Sequence, residues 1–318
     1  MIVTVTLNAA IDRTLTVPNF QRGQRHRASA GIALAGGKGI NVARALKLLG
    51  VPVVATGLVG GATGSRIVEG LTNEAILNDF VHIEGESRTS TAVVDPTGGT
   101  YTEINEWGPS VRPAELETLL EKLHYLTQGA ELVVFAGSLP RSVGDDFYAE
   151  AIRGLNRRQL QVVLDTEGEP LRLGVEAEPF LVSPNQPEAE SLVGQEFHDA
   201  DDFQLALDTI ADMGPRNVLI TTEHGCVARL REDRDERRSY RAVAPRVEPI
   251  STVGAGDALL AAYLAARYAG RSREEALRAA VAAGAASTLE AGAGLFDPRQ
   301  AGRLQSGVEL TELQPVQA

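Results

Sequence analysis

The stretch LVVFAGSLPRSVGDDFYAEAIRGLNRRQLQVVLD (residues 132–165) decides the reading of the fold. It opens on an apolar run, LVVFAG (132–137), and closes on another, QVVLD (161–165), with helical patterning over 145–158 between them. A strand that is apolar at every position must be buried on both faces, as in a parallel sheet covered by helices. The same signal recurs in IVTVTL (2–7), VVATGLV (53–59), PFLVS (179–183) and NVLIT (217–221), with a further helix over 114–126. The expected fold is α/β: a doubly wound, mostly parallel sheet with helices on both faces, in a single domain over 1–318.

In such sheets ligands collect beyond the carboxyl ends of the strands. Those ends carry polar or glycine residues here: Asn8, Gly60 and Gly61, Gly137 and Ser138, Asp165, Asn185, and Thr221 and Thr222. One shared site is expected there. Two stretches break the alternation, 12–34 and RTSTAVVDPTGGTYTEINEWG (88–108), and both read as hairpins, the second turning at DPTGG. Segments 12–34 and 88–106 are expected to form a small β lid. Its apolar alternation (Leu15, Val17, Ile32, Leu34, Ala92, Val94) has no obvious covering helix, which predicts a homodimer through the lid. The charged run REDRDERR (231–238) reads as a solvated hairpin tip, and 303–318 as a partly frayed tail.

Composition sets outer limits. The chain has 318 residues, 43% of them hydrophobic, and a net charge of −12. That charge argues against nucleic acid as a partner. No run of about 18 apolar residues appears, so no membrane partner is expected. The amino-terminal stretch lacks a basic region and carries Asp12, so a signal peptide is not expected. A lone cysteine, Cys226, fits a cytoplasmic protein. His26, His82, His124, His198 and His224 are scattered without ligand spacing.

Two glycine loops carry the chemistry. The first is AGGKGINVARALKLLG (35–50). A P-loop would need glycine at 32 and Ser or Thr after Lys38, where Ile32 and Gly39 stand. A dinucleotide fingerprint fails at Val42. The loop does open a helix, with Ile40, Ala43, Leu46 and Leu49 on one face and Gly50 and Pro52 as its stop. The second is STVGAGDALLAAYLAA (251–266), where Gly254, Ala255 and Gly256 precede an alanine-rich helix. Successive N–H groups at a helix start form an anion hole. Asp257 stands in that same turn, either as a helix cap or as a general base beside the hole. Two anion sites and one carboxylate suggest phosphoryl transfer between two phosphate-bearing molecules.

With NAAIDRT (8–14), GGATGSRI (60–67), RTS (88–90), TEINEWGP (102–109), AGSLP (136–140), LDTEGEPL (164–171) and SPNQPE (183–188), these loops complete a pattern. Over residues 2–300 the chain resembles the ribokinase-like carbohydrate kinases, within them the phosphofructokinase B branch. The resemblance implies Asp257 as catalytic base, with Gly254, Ala255 and Gly256 as the anion hole. It implies an acceptor site of Asp12, Gly36, Gly37, Lys38 and Asn41, with Arg88 and Ser138 on the sugar's existing phosphate. Thr221, Thr222, Gly225, Gly254 and Gly256 are implied on the nucleotide side, and Asn185 and Glu188 as the magnesium-associated pair. ATP and Mg²⁺ are the implied cofactors, with a monovalent cation such as K⁺ as a further candidate. The chain departs from the pattern at Ser183, where lysine is common, at TTEHGC (221–226), which lacks a glycine, and at Trp107, where proline is common. The expected reaction is ATP-dependent phosphorylation of a sugar phosphate, with fructose 1-phosphate preferred and tagatose 6-phosphate or fructose 6-phosphate as alternatives. A non-catalytic sugar-phosphate sensor is the competing class, and the presence of Asp257 weighs against it. A nucleoside kinase is disfavoured by Arg88, Lys38 and Ser138, which an uncharged acceptor would not need.

Overall fold

The computed structural model describes residues 1–231, 237–290 and 292–314. In chain order the strands are β1 (Ile2–Thr6), β2 (Ala10–Thr16), β3 (Ala30–Gly36), β4 (Val53–Gly60), β5 (Leu77–Asn78), β6 (Val81–Ile83), β7 (Arg88–Asp95), β8 (Thr100–Asn105), β9 (Leu132–Ala136), β10 (Gln161–Asp165), β11 (Leu181–Val182), β12 (Asn217–Thr222), β13 (Gly225–Arg231), β14 (Arg237–Val243) and β15 (Glu309–Leu313). The α-helices are α1 (Lys38–Leu48), α2 (Gly61–Asn73), α3 (Pro113–Leu126), α4 (Phe147–Asn156), α5 (Gly168–Val175), α6 (Gln186–Val193), α7 (Ala200–Asp212), α8 (Ala255–Tyr268), α9 (Arg273–Ser287) and α10 (Pro298–Leu304).

The main sheet runs β15-β14-β13-β12-β11-β10-β9-β1-β4-β5, with β6 also on β4. From β12 across to β5 every pairing is parallel. Strand β9 shows why its residues are apolar throughout. Leu132, Val134 and Ala136 enter the core beneath α1, α2, α8, α9 and α10, while Val133 and Phe135 enter the core beneath α3 to α7. Side chains alternate across a strand, so two buried faces favour an apolar residue at every position of β9. The chain leaves β1 toward β4 on one side and β9 on the other, which makes the ends of these strands the switch point.

The far edge is antiparallel, a feature the strand patterning did not specify. Only Glu223 and His224 connect β12 to β13, and so short a link permits a hairpin but no parallel crossover. The expected strand 179–183 shrinks to Leu181–Val182, bracketed by Pro179 and Pro184, which cannot donate to a ladder. Part of the expected frayed tail is ordered: β15 pairs antiparallel with β14 from Val243↔Glu309 to Ser239↔Leu313, with Val308 buried beneath it. Of the charged run 231–238, the flanks end β13 and begin β14, and 232–236 lie outside the described residues. Among the described residues no helix is long and apolar enough to cross a membrane.

The second sheet has the order β3-β2-β7-β8. Its two antiparallel hairpins are joined by parallel pairing of β2 with β7. Strand β8 is exposed along its whole length, and Ile32, Tyr101 and Ile104 are exposed apolar side chains of this sheet.

The approach of β4 to β1 allows no side chain at Gly57, which has φ +139° and pairs with Thr6. A Cβ there would lie 1.9 Å from the Thr6 carbonyl oxygen. Gly57→Ala should therefore cost about 3–5 kcal/mol of stability, the range of severe core lesions, measured as a lower denaturation midpoint in urea.

Candidate active site

A cavity of about 640 Å³ opens at the carboxyl ends of β1, β9, β10 and β12, under the small sheet. Asp12, Arg88, Ser90, Glu103 and Asn105 reach it from the small sheet, and Gly37, Lys38 and Asn41 from the turn into α1. Ser138, Asp165, Thr166, Asn185, Glu188 and Thr221 line the strand ends, and Gly254, Gly256 and Asp257 the start of α8.

Helix α8 begins at Gly254, whose φ of +76° and close packing on Ala293 and Gly294 exclude a Cβ. Asp257 is the third residue of the helix, and among the described residues no backbone N–H donates to its carboxylate. The helix-cap alternative is therefore not what the geometry shows. The buried Asp257 carboxylate instead accepts a hydrogen bond of 2.9 Å from Asn41 Nδ2. Burial raises its pKa, and the nearby Asp165 carboxylate raises it further, against the pull of Lys38 and Asn41. A carboxylate tuned toward neutrality suits general base work.

Asn41 is held in turn by Arg44, whose Nη1 donates to Asn41 Oδ1 at 3.1 Å. Across the cavity, Asp12 is raised to about 6, chiefly by burial, although Arg88, Arg44 and the Gly37 N–H favour its charged form. Arg88 donates to the Asn8 carbonyl at 3.2 Å and the Glu106 carbonyl at 3.3 Å, and Asn8 Nδ2 donates to Ser138 Oγ at 3.2 Å. Burial lowers the Arg88 pKa, with Asp12 the first group opposing it.

Not every expected residue reaches the cavity. Gly36 lies against the Asp12 carboxylate, where a Cβ would be 2.0 Å from Oδ2, so it makes room for Asp12 and does not line the site. Ala255 is the first residue of α8 and does not line it either. Gly225 packs on Ala242, and Thr222 opens into a separate pocket of about 180 Å³ beside Phe203, His224 and Arg241. Asn185 and Glu188 form a capping box at α6: Asn185 Oδ1 accepts from the Glu188 N–H at 2.9 Å, and Glu188 Oε2 from the Asn185 N–H at 2.8 Å. Glu188 Oε1 accepts from Lys38 Nζ at 3.3 Å. Lys38 also donates to Asp165 Oδ1 at 2.8 Å. Asp165 and Glu103 are site carboxylates to which the sequence pattern assigned no role. The one signal for Asp165 was its place at the end of a parallel strand. Trp107 stands at the cavity mouth with the Arg141 guanidinium 3.7 Å from its ring centroid. Among the described residues no three His, Cys, Asp or Glu side chains converge to hold a metal.

A buried carboxylate with a raised pKa at a glycine-bounded helix start, in a cavity that also holds an arginine and several polar side chains, is an arrangement suited to a phosphotransferase acting on a small hydroxylated acceptor. Residues 2–300 match the pfkB family of carbohydrate kinases, and the chain belongs to that family. The 1-phosphofructokinase of Borreliella burgdorferi is 33% identical over 290 residues, 91% of this chain and 92% of the relative. That of Rhodobacter capsulatus is 32% identical over 316 residues, 99% of each chain. Phosphofructokinase-2 from Escherichia coli, solved with substrates and products, has a TM-score of 0.89 at 29% identity, covering 96% of this chain and 98% of that one. The same protein has been solved with potassium, at a TM-score of 0.88.

The Asp12 side of the cavity should respond to pH if it holds the acceptor. If Asp12 must be ionised to accept hydrogen bonds from sugar hydroxyls, kcat/KM for the acceptor should fall as pH drops through about 6. The acceptor's own phosphate titrates in the same region, near 6. The measurement is therefore a pair of profiles, and Asp12→Asn should lack one inflection that the unmodified protein shows.

Proposed function

We propose that this kinase transfers the γ-phosphoryl group of ATP to fructose 1-phosphate, making fructose 1,6-bisphosphate. The observation that carries the mechanism is Asp257, buried at the start of α8, committed to no cap and facing the cavity. The acceptor hydroxyl gives its proton to Asp257 as its oxygen attacks the γ-phosphorus. The bond to the bridging oxygen breaks and ADP leaves. The N–H groups of Gly254 and Gly256 would stabilise the charge on the transferring group, helped by the helix dipole, while the Ala255 N–H donates to the Thr252 carbonyl at 3.3 Å and faces away from it. Asp12 would hold adjacent sugar hydroxyls, with Gly37 and Asn41 completing the wall. Arg88 would grip the phosphate already on the acceptor, and Ser138 would add a hydroxyl donor. Thr221 is left as the nucleotide-side residue of β12 that lines the cavity.

Fructose 1-phosphate is preferred over tagatose 6-phosphate and fructose 6-phosphate because the Borreliella burgdorferi and Rhodobacter capsulatus relatives, each aligned over nine-tenths or more of the chain, are named 1-phosphofructokinase. A divalent ion fits the site: Glu188 and Asp165 both direct a carboxylate oxygen at one cation, the Lys38 ammonium. Mg²⁺, bound mostly through water and nucleotide phosphates, would neutralise charge on the transferred group. Glu188 and Asn185 would lie beside it. Potassium as an additional ion is supported by the complex solved for the Escherichia coli relative. With its buried free cysteine, Cys226, the protein suits the cytoplasm.

Asp257→Asn keeps the shape and removes the proton acceptor, so kcat should fall about 10²–10⁴-fold with substrate affinities near those of the unmodified protein. A coupled ADP-release assay over the three sugar phosphates checks both points. Faster turnover of fructose 6-phosphate or tagatose 6-phosphate would replace the acceptor, and an active Asp257→Asn would remove the mechanism.

The small sheet is also proposed as a homodimer interface. Its exposed edge strand β8 and the side chains of Ile32, Tyr101 and Ile104 offer pairing and apolar surface together. Sedimentation at micromolar concentration should give twice the mass of the chain, and Ile104→Lys should shift the protein toward monomer.

A further inference from the structure

Lys38 stands at the centre of an arrangement that its place in the glycine loop does not explain. It is the first residue of α1, after Gly37 at φ +108°, and its ammonium lies 2.8 Å from Asp165 Oδ1 and 3.3 Å from Glu188 Oε1. Those carboxylates come from different elements, the end of β10 and the start of α6, and both side chains are nine-tenths or more buried. Asp257 adds a third negative group within electrostatic reach of the same ammonium. Burying two carboxylates side by side is costly unless a cation sits between them. Lys38 is that cation. It is also more than a third exposed, on a flexible stem, so it can leave without unpacking the core.

The geometry points to Lys38 as a tethered counter-ion that holds the Asp165–Glu188 pair together in the free protein and is displaced when a divalent cation takes its place. This rests on the proposed placement of the metal beside Glu188. A divalent ion brings two charges where the ammonium brought one. Its arrival frees Lys38 to turn toward the anionic substrates in the same cavity. The lysine thus keeps the empty site from collecting divalent ions without nucleotide, and supplies a positive charge to the phosphates once they arrive. Lys38 is in this sense a positioning residue, acting through Asp165 and Glu188.

The test measures metal binding without turnover. Mn²⁺ is titrated into the nucleotide-free protein, and free Mn²⁺ is read by electron paramagnetic resonance. Lys38→Met should bind Mn²⁺ at least about tenfold more tightly than the unmodified protein, and Lys38→Arg should not. The double variant Lys38→Met/Glu188→Gln should lose the gain. Equal affinity in Lys38→Met and the unmodified protein would overturn the inference. Should Lys38→Met not fold, the unmodified protein still decides the matter. Saturating Mn²⁺ should raise the rate at which an amine-directed reagent modifies Lys38, followed by mass spectrometry, and an unchanged rate overturns displacement. Glu188→Gln alone separates the two layers. If it leaves Mn²⁺ binding to the nucleotide-loaded protein untouched, the metal placement falls and the inference with it. If it weakens that binding while Lys38→Met changes nothing, only the inference falls.

Discussion

The buried guanidinium of Arg44 ties the site together. It donates to the Ala35 carbonyl at 2.6 Å, the Ala293 carbonyl at 3.1 Å, Asn41 Oδ1 at 3.1 Å and Glu74 Oε1 at 2.9 Å. A charge removed from water is tolerated only when its donors are satisfied, and here they are spent on joining distant segments. Ala35 leads into the first glycine loop, and Ala293 packs against Gly254 of the second. Gly294 lies so close to Asn41 that a Cβ would be 2.6 Å from the Asn41 carbonyl oxygen. Loops more than 200 residues apart in sequence are thus held in register. The same guanidinium orients the amide that bonds Asp257.

Charge shapes the cavity from the other side. Asp12, Glu103, Glu106, Asp165, Glu167, Glu188 and Asp257 line it, against Lys38 and Arg88 alone among the described residues. A cavity so acidic does not attract phosphates by its net charge. The positive groups act locally instead: Arg88 toward the small sheet, Lys38 toward β10 and α6, and the N–H groups at the start of α8. The surplus of carboxylates has a second effect. Repulsion from Asp165 adds to burial in raising Asp257, so the acidity of the wall helps hold that carboxylate's pKa up.

Much of this was legible in the chain because it depends on local chemistry. Apolar runs specify doubly buried strands, and glycines before an amphipathic or alanine-rich run specify helix starts. Asp257 and Asn41 could be placed in the site because each sits in a loop whose backbone demands are unusual. What escaped depends on long-range packing. Asp165 looks like any strand-end aspartate until Lys38 is seen beside it, and Glu103 reaches the cavity only because β8 pairs with β7. Thr222 and Gly225 flank Thr221 closely in sequence. Yet side chains alternate along β12, so the neighbour of a cavity residue faces elsewhere. The ordered part of the tail was not legible because Val308 and Leu310 are too few to signal a strand without β14 to pair with.

The helix start also shows how the Asp257 carboxylate keeps a raised pKa. At the third position of a helix, the dipole and free N–H groups favour a carboxylate's charged form and would hold its pKa low. Burial opposes this, and in Asp257 burial is the largest influence. The balance requires that the carboxylate not be consumed as a cap, which would bind both the charge and the lone pairs. Gly254, with its left-handed φ, turns the chain into the helix without a side-chain cap of its own. Asn41 then engages Oδ2 alone, and among the described residues no donor reaches Oδ1. One oxygen is thus fixed by an amide from the opposite loop, and the other is left without a donor among the described cavity residues.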